Sequence, residues 1–359
     1  MKIRENYFLI LLPILLLVAG FALAESKKEG PNHKHGAPKK VTECGTILTE
    51  PGNYKLVNDL LDCPGNGVEI YGSDITLNLH GHTISCDNDL EVGGVGIWPP
   101  LGSMDPDYII RNVTVKNGHV SNCRDGIVLM QTEDSKVMHM TSSGNTKWER
   151  APGVWVYGTG ITVWLSRNNV IMHNHTYGNE GDGIGSWESG GNLFKHNTST
   201  GNGTGSSGSG SGISISSEEN SRIVCNRIHG NADGIAVYWG ATDNGSSGNL
   251  IRGNLVTDNQ ITGIAFLGLY WQDPDTDEEW YYAMASGNTI RSNIVEQQPW
   301  VDIFEAYWDF AGNLLPNPDG ICRNTWEKNQ FGTELGVPGC IGTSVVLDEN
   351  DVCALHNDD

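Results

Sequence analysis

A short unit of alternating apolar and polar residues recurs through the middle of the chain. Each unit carries the dipeptide Gly-Ile, and successive Ile residues lie 30, 34, 23, 29, 22 and 29 positions apart. The shortest spacings predict one basic turn, and the longer ones predict the same turn with an insertion. The dipeptides are Gly96-Ile97, Gly126-Ile127, Gly160-Ile161, Gly183-Ile184, Gly212-Ile213, Gly234-Ile235 and Gly263-Ile264.

Asparagine marks the corners of these units, because it recurs every five residues within them. Single apolar residues such as Ile171 and Phe194 stand between the Asn residues. Asn tolerates the left-handed backbone of a tight corner and can hydrogen-bond to its neighbours there. The pattern therefore predicts short strands joined by Asn corners. The Asn sets are Asn112/Asn117/Asn122, Asn169/Asn174/Asn179, Asn192/Asn197/Asn202, Asn226/Asn231, Asn249/Asn254/Asn259 and Asn288/Asn293.

Strands this short predict a coiled fold. A strand of three to five residues alternates inward and outward side chains with period two, and it cannot bury its inner face alone. If each unit lies on the one before, Ile stacks on Ile and backbone pairs with backbone along the whole length, which makes a solenoid of parallel strands. No amphipathic helix fits between the strands, and this excludes a fold of alternating strands and helices.

The Gly-Ile and Asn units resemble the repeats of right-handed parallel β-helix proteins, the pectate-lyase-like superfold, over roughly residues 65–305. The segment from Cys44-Gly45 to His80-Gly81-His82 looks like the opening coils of exported members, and the segment from Cys322 to Cys340-Ile341 looks like a closing coil. The resemblance implies an all-β, single-stranded parallel β-helix with Asn corner ladders and loop insertions on one face. This architecture hosts lyases, hydrolases, epimerases, adhesins and metal-maturation proteins, so it implies no single activity.

The two ends of the chain differ from the repeats in composition. Lys2 and Arg4 precede an apolar run that ends in Ala22-Leu23-Ala24, which is typical of a signal peptide over residues 1–24. A membrane anchor is the alternative, although Pro13 interrupts the short run. We expect a flexible linker over residues 25–41, the β-helix over 42–309 and a closing coil or cap over 310–359. The protein would then be secreted, periplasmic or at the cell surface.

The mature chain contains all eight cysteines and is acidic. An even count in an exported protein suggests up to four disulfides, and closeness in sequence favours Cys44–Cys63, Cys86–Cys123 and Cys322–Cys340. With 22 basic and 43 acidic residues, the formal net charge is −21. That charge disfavours nucleic acid and anionic membranes as partners. No stretch after the first 24 residues is predicted to insert into a membrane, and we expect a monomer.

Aromatic residues predict a binding surface on the outer side of the Gly-Ile strands. If each Ile faces inward, the residue three positions later faces outward, which places Trp164, Trp187 and Tyr238 in one column. Exposed aromatic patches often mark binding surfaces, and flat sugar faces stack on such rings. Packing beneath a loop is the alternative. Because insertions flank both edges of these strands, we expect a groove for a polysaccharide with these three residues as its platform.

Three carboxylates lie near this predicted groove. Glu188 follows Trp187, while Asp182 and Asp233 each precede a Gly-Ile pair. Two carboxylates across a sugar can act as acid and base, so Glu188 with Asp182 or Asp233 are the candidate catalytic residues. The alternative is that Asp-Gly simply favours a corner. The catalytic motifs of polygalacturonases and alginate epimerases are absent, so enzymatic activity is left open; if present, it would be that of a polysaccharide lyase or glycoside hydrolase.

Two further patterns bear on metal ions, although neither assigns a ligand. His139, His173 and His196 precede the second Asn corner of adjacent coils and should stack; three imidazoles can hold zinc or copper, and a solvated column is the alternative. Asp273, Asp275 and Asp277 have calcium-like spacing, but Glu278 and Met284 replace the Gly and Glu of a calcium loop. Calcium therefore stays open as a cofactor.

The leading functional hypothesis is an exported β-helix protein that binds a polysaccharide in the groove of the Gly-Ile strands, with cleavage undecided. Two alternatives remain. The first is a non-catalytic surface or structural protein, in which the coils and disulfides serve stability alone. The second is a metal-handling periplasmic β-helix protein, which resembles those of copper-enzyme maturation and would use the three histidines.

Overall fold

The structure is a computed structural model. It describes residues 37–87, 93–100, 107–146, 148–151, 154–156, 158–204, 210–238, 245–272, 279–282, 285–309, 314–315, 322–336, 339–348 and 353. The predicted signal peptide and residues 25–36 of the predicted linker lie outside this part of the chain, as does the Asp273–Asp277 run. Within the described residues, no helix has the length and apolar character that a membrane span needs.

Thirty-six strands, most of them short, make up the regular structure of the residues described above. They are β1 Lys39–Val41, β2 Thr46–Leu48, β3 Gly52–Leu56, β4 Leu60–Cys63, β5 Val68–Ile70, β6 Ile75–Asn78, β7 Thr83–Cys86, β8 Gly93–Ile97, β9 Ile110–Arg111, β10 Thr114–Ser121, β11 Asp125–Met130, β12 Thr132–Glu133, β13 Lys136–Ser143, β14 Trp148–Ala151, β15 Val154–Val156, β16 Ile161–Trp164, β17 Val170–Met172, β18 His175–Tyr177, β19 Ile184–Trp187, β20 Leu193–Lys195, β21 Thr198–Thr200, β22 Ser211–Ser216, β23 Arg222–Val224, β24 Arg227–His229, β25 Asp233–Tyr238, β26 Leu250–Arg252, β27 Leu255–Thr257, β28 Thr262–Gln272, β29 Glu279–Tyr282, β30 Thr289–Arg291, β31 Ile294–Glu296, β32 Val301–Asp309, β33 Leu314–Leu315, β34 Thr325–Glu327, β35 Gln330–Phe331 and β36 Glu334–Leu335.

The strands stack into three ladders, and almost all pairings within them are parallel. The Gly-Ile sheet contains β2, β5, β8, β11, β16, β19, β22, β25, β28 and β32 in that order. A second ladder runs through β17, β20, β23, β26 and β30, and a third through β18, β21, β24, β27 and β31. One turn of the coil, here called a rung, therefore contributes one strand to each ladder, and the chain then continues into the next rung. This is the parallel β-helix that the repeats predict.

The core is a stack of identical positions. In the Gly-Ile sheet, the pairing partners run Ile127, Ile161, Ile184, Ile213, Ile235 and Ile264, and each is fully buried. The preceding Gly is required by close approach: a side chain on Gly183 would lie 2.1 Å from Ser199 Oγ and 2.7 Å from the Gly212 carbonyl oxygen. The two residues of the repeat thus have different roles. Ile places an aliphatic side chain inside the coil, and Gly occupies a position where a side chain would clash with the neighbouring rung.

The first predicted unit is shifted. Ile127 pairs with Val95 and not with Ile97, which pairs with Leu129 instead. A slip of two residues keeps both side chains inward, so alternation alone could not detect it. The Asn112/Asn117/Asn122 set is also displaced. These three residues are exposed, with φ of 56°, 60° and 56°, and they lie one position before the buried ladder.

The other predicted Asn corners are confirmed as buried hydrogen-bonded ladders. One of them runs through Asn174, Asn197, Asn226, Asn254, Asn293 and Asn329. Asn197 shows the pattern: its Oδ1 accepts from the Asn174 backbone N–H at 3.0 Å, and its Nδ2 donates to the Ile171 carbonyl at 2.8 Å. Each Asn thus closes the corner of its own rung and ties it to the next.

The ends of the coil are held by pairing and by disulfides. Strand β1 pairs with β3, so residues 39–41 belong to the β-helix and not to the predicted linker. At the other end, β34, β35 and β36 continue the three ladders as a closing coil. The three expected disulfides, Cys44–Cys63, Cys86–Cys123 and Cys322–Cys340, are confirmed, while Cys225 and Cys353 remain thiols.

Candidate functional site

The outer face of the Gly-Ile sheet carries the predicted aromatic column. Trp164 is the pairing partner of Trp187, and Tyr238 follows two rungs later beyond Ser216. Trp98 belongs to the same column, because Ile97 pairs with Leu129 immediately before Met130, which itself pairs with Trp164. Trp98 could not be assigned to the column from the sequence, because the first unit is shifted by two residues.

A shallow cavity of about 250 Å³ opens beside the two central indoles and is lined by Trp164, Trp187, Glu188, Ser216 and Ser217. The Trp187 ring lies across Gly185, where an added Cβ would come within 2.3 Å of it. A small residue two positions before the aromatic therefore lets the indole lie flat on the sheet. The cavity combines a flat apolar wall with a few hydroxyl and carboxylate groups, which is a common composition of small-molecule binding sites.

Asp182 and Asp233 lie at the opposite end of these strands. The Asp182 carboxylate accepts hydrogen bonds from the Ser211 N–H and the Ser214 hydroxyl, both at 2.6 Å, and Asp233 accepts from the Thr262 hydroxyl at 2.5 Å. Burial raises the pKa of Asp182 to about 6, and the nearby charge of Asp233 adds to the shift. Both carboxylates thus tie their own rung to the next one, which is the corner role that the sequence left as the alternative.

The structure does not bring the three predicted carboxylates together. Asp182 and Glu188 flank strand β19, and at roughly 3.3 Å per residue they lie on the order of 20 Å apart. Asp182 and Asp233 are two rungs apart in one column, or roughly 10 Å. Glu188 is exposed at the cavity with a φ of 51°. No pair that includes Glu188 therefore has the separation of a glycosidase acid and base.

Tyr238 differs from the two indoles in its surroundings. It packs against a second apolar cluster on the outside of the sheet, which contains Ala265, Leu267, Val301, Phe304 and Ala306. Burial raises the pKa of its hydroxyl, and the charges of Asp182 and Asp233 raise it further. Tyr238 is thus a half-buried packing residue at the edge of the column, in contrast to the cavity-lining Trp164 and Trp187.

A second group of chemically active side chains lies at the corner between the second and third ladders. His139, His173 and His196, here called the imidazole column, stack on three successive rungs with ring centroids 5.1 Å apart and interplanar angles of 5° and 12°. All three adopt positive φ, between 53° and 55°. Burial between its neighbours lowers the pKa of His173, and nearby His139 and Lys195 lower it further. A neutral imidazole is the form that binds a metal ion.

The corner contains sulfur donors that the sequence analysis missed. Cys225 occupies the same corner position one rung after His196, because Lys195 pairs with Val224. Its thiol is hydrogen-bonded to that of Cys353, which lowers the pKa of Cys225 to about 7. Met138 and Met172 directly precede His139 and His173 and are pairing partners in register. Comparing residues at this one corner position across all rungs would have revealed Cys225.

The donors of this corner follow one another along the column. Among the described residues, no three His, Cys, Asp or Glu side chains converge on a single point. Successive rungs instead present one donor each along the column: three stacked imidazoles and then the thiol of Cys225. Imidazole suits copper and zinc, while thioether and thiolate sulfurs select Cu(I). The donor set thus fits copper in chemistry.

Comparison with known proteins identifies one family model that matches the repeats. A family model described as "Periplasmic copper-binding protein (NosD)" matches residues 102–295. A search of curated proteins found none that matches.

Several solved structures also share similarity with the chain. The GH136 lacto-N-biosidase from Eubacterium ramulus is 11% identical, with a TM-score of 0.48 over 84% of this chain and 60% of that one. The Azotobacter vinelandii mannuronan C-5 epimerase AlgE4 A-module is 14% identical, with a TM-score of 0.40 over 82% and 88%. A double mutant of the periplasmic alginate epimerase AlgG is 14% identical, with a TM-score of 0.46 over 81% and 71%. At these scores, no inference about activity rests on the similarities.

Proposed function

Since the chain belongs to the NosD family of periplasmic copper-binding proteins, a family of right-handed β-helices, we propose that it binds copper ions outside the cytoplasm through its imidazole column. The matched residues 102–295 contain the whole column and Cys225. The observation that carries the proposal is the unbroken stack of His139, His173 and His196 at one corner. Copper is the bound substrate in this proposal, and the protein's role is to hold the ion.

The location outside the cytoplasm has its own support. Three disulfides join Cys residues in the opening and closing coils, and such bonds persist in oxidising compartments. The family description names the periplasm. The signal peptide predicted over residues 1–24 agrees with this location. Cleavage of a fusion of residues 1–30 to a reporter after Ala24 would test it, and a reporter retained in the cytoplasm would contradict it.

Copper binding is tested by titrating the full mature chain with Cu(II) and with chelator-buffered Cu(I). We expect the triple variant His139→Ala/His173→Ala/His196→Ala to bind about tenfold more weakly or worse. His175→Ala is the matched control, because His175 is an exposed histidine two residues from His173 but outside the column. Triple-variant binding equal to that of the wild type would overturn the proposal.

Carbohydrate binding is the second candidate, and the indole-walled cavity favours it. Trp164 and Trp187 lie in register beside Glu188, Ser216 and Ser217, and the Trp187 ring lies flat on the sheet. Because the chain carries a net charge of −21, a neutral glycan suits it better than a uronate polymer, unless calcium bridges the charges. The proposal covers binding and does not extend to cleavage, since the strand β19 separates Glu188 from Asp182, the carboxylate predicted to act with it.

Quenching of tryptophan fluorescence by neutral and uronate oligosaccharides tests this candidate, together with affinity gel electrophoresis. We expect Trp187→Ala to abolish retention on the glycan that the wild type binds. Trp300→Ala is the control, because Trp300 is 49% exposed but does not line the cavity. Retention that survives in the Trp164→Ala/Trp187→Ala double variant would remove the cavity as the binding site.

A further inference from the structure

We propose that Cys225 and Cys353 form a dithiol site for Cu(I) at the end of the imidazole column, and that a disulfide between the same two sulfurs closes it. The inference rests on the proposed copper binding, because it names the ligands at one end of that column and the condition that controls them. It assigns a role to the two cysteines that take no part in the three structural disulfides.

The first step is the position of Cys225. His173, His196 and Cys225 occupy one corner of three successive rungs, with φ of 55°, 55° and 57°. The N–H of His196 donates to the Val224 carbonyl at 3.3 Å, and the N–H of Cys225 donates to the Arg252 carbonyl at 3.1 Å. The thiol therefore takes the place that an imidazole takes on the rung before. The column therefore begins with imidazole nitrogens and ends with a sulfur, which is the softer donor.

The second step is the corner position of the next rung, which has no side chain. Gly253 occupies the corner after Cys225, since Arg252 is the pairing partner of Val224. Glycine brings no side chain into the column. Cys353, which follows Cys225 by 128 residues in the sequence, lies at this rung, where its Sγ donates to the Gly253 carbonyl oxygen at 3.3 Å. Cys353 thus places a second thiol at the rung that follows Cys225.

The third step is the closeness of the two sulfurs. The thiols of Cys225 and Cys353 are hydrogen-bonded to each other. Two thiolates side by side suit Cu(I), which is soft and prefers sulfur donors. The charges of Lys195 and Arg252 act on Cys225, and those of Arg227 and Lys195 act on Cys353. These cations offset the negative charge of two thiolates that share one monovalent ion. Binding releases the thiol protons to solvent.

The same closeness allows the site to be closed by oxidation. Two thiols lose two protons and two electrons, one S–S bond forms, and a disulfide-bearing oxidant such as glutathione disulfide is reduced to two thiols. Neither sulfur then has a lone pair with thiolate character for Cu(I). In an oxidising compartment, the site is therefore available only while a reductant keeps the pair open.

The test is a competition between the full mature chain and a chromogenic Cu(I) chelator such as bicinchoninate, without oxygen. The wild type with a free thiol pair should hold one Cu(I) per chain, and Cys225→Ser and Cys353→Ser should each lose affinity by about a hundredfold. Treatment with glutathione disulfide should lower the affinity for Cu(I) as far as the Ser substitutions do, and it should yield a linked Cys225–Cys353 peptide in a nonreducing digest. Thermal unfolding of the Ser variants shows whether they remain folded.

The His triple variant separates this inference from the broader proposal. If it still holds Cu(I) while the Ser variants do not, the dithiol site stands and the imidazole column fails. If folded Ser variants bind Cu(I) like the wild type while the His variant loses it, the dithiol inference is overturned and the column stands. Failure to recover the linked peptide after oxidation would overturn the disulfide control.

Discussion

Replacing Asn197 by Ala tests whether the buried Asn ladder holds the rungs together. Asn197 is 1% exposed. Its Oδ1 accepts from the backbone N–H of Asn174 at 3.0 Å, and its Nδ2 donates to the Ile171 carbonyl at 2.8 Å. Alanine leaves both of these groups buried without that partner. An unsatisfied buried group costs about 1–3 kcal/mol, and the two together predict a loss of about 2–6 kcal/mol in the free energy of unfolding.

The assay is equilibrium unfolding in urea, followed by circular dichroism and by tryptophan fluorescence. Coincident transitions from the two probes show that the coil unfolds as one unit, which a stack of repeats need not do. Asn168→Gly is the control, because Asn168 is exposed and has a φ of 57° that Gly adopts freely; it should change stability by less than about 1 kcal/mol. A loss below about 1 kcal/mol for Asn197→Ala would refute the ladder argument.

Three further predictions follow from single contacts. Phe194→Ala empties a fully buried position in the coil and should cost about 3–5 kcal/mol in urea unfolding; a smaller loss would mean that the rungs close over the cavity. Gly185→Ala should lift the Trp187 ring off the sheet and shift its fluorescence to longer wavelength, and an unchanged spectrum would contradict the flat placement. For Asp182, the folded-state pKa of about 6 lies above its ordinary 3.8, so its contribution to stability is complete below about pH 4 and is lost as pH rises through about 6. Asp182→Asn should therefore flatten the fall in the urea midpoint between pH 4 and 6, and an equal fall in the variant would assign it to other groups.

The rungs could be predicted because, in a solenoid, residues one repeat apart in the sequence lie next to each other in space. Residues 23 positions apart, such as His173 and His196, lie on adjacent coils, so a fixed spacing is already a tertiary contact. The same reasoning explains why closeness in sequence was enough to pair Cys86 with Cys123. In both cases, the chain between the two residues completes about one turn. Local spacing therefore carries most of the fold.

The predictions failed where repeat spacing does not determine which residues lie together. The slip that pairs Ile127 with Val95 preserves inward facing, so no alternation rule can detect it. Cys353 reaches Cys225 across 128 residues, and no repeat spacing links them. The separation of Glu188 from Asp182 was missed for a different reason: the strand between them holds the two carboxylates apart. Alternation along the strand correctly predicted that the aromatic side chains face outward. It does not show that Asp182 and Glu188 lie at opposite ends of the same strand.

The two candidate sites lie on different sides of the same rungs, and this makes each a control for the other. Trp187 ends strand β19 in the Gly-Ile sheet, whereas His196 follows β20 at the corner between the other two ladders. In a repeat fold, a rung contacts only its neighbours, so side chains that share no contact should act independently. The His triple variant should therefore retain glycan binding, and Trp187→Ala should retain copper binding. Loss of both functions in either variant would indicate that the rung itself had unfolded.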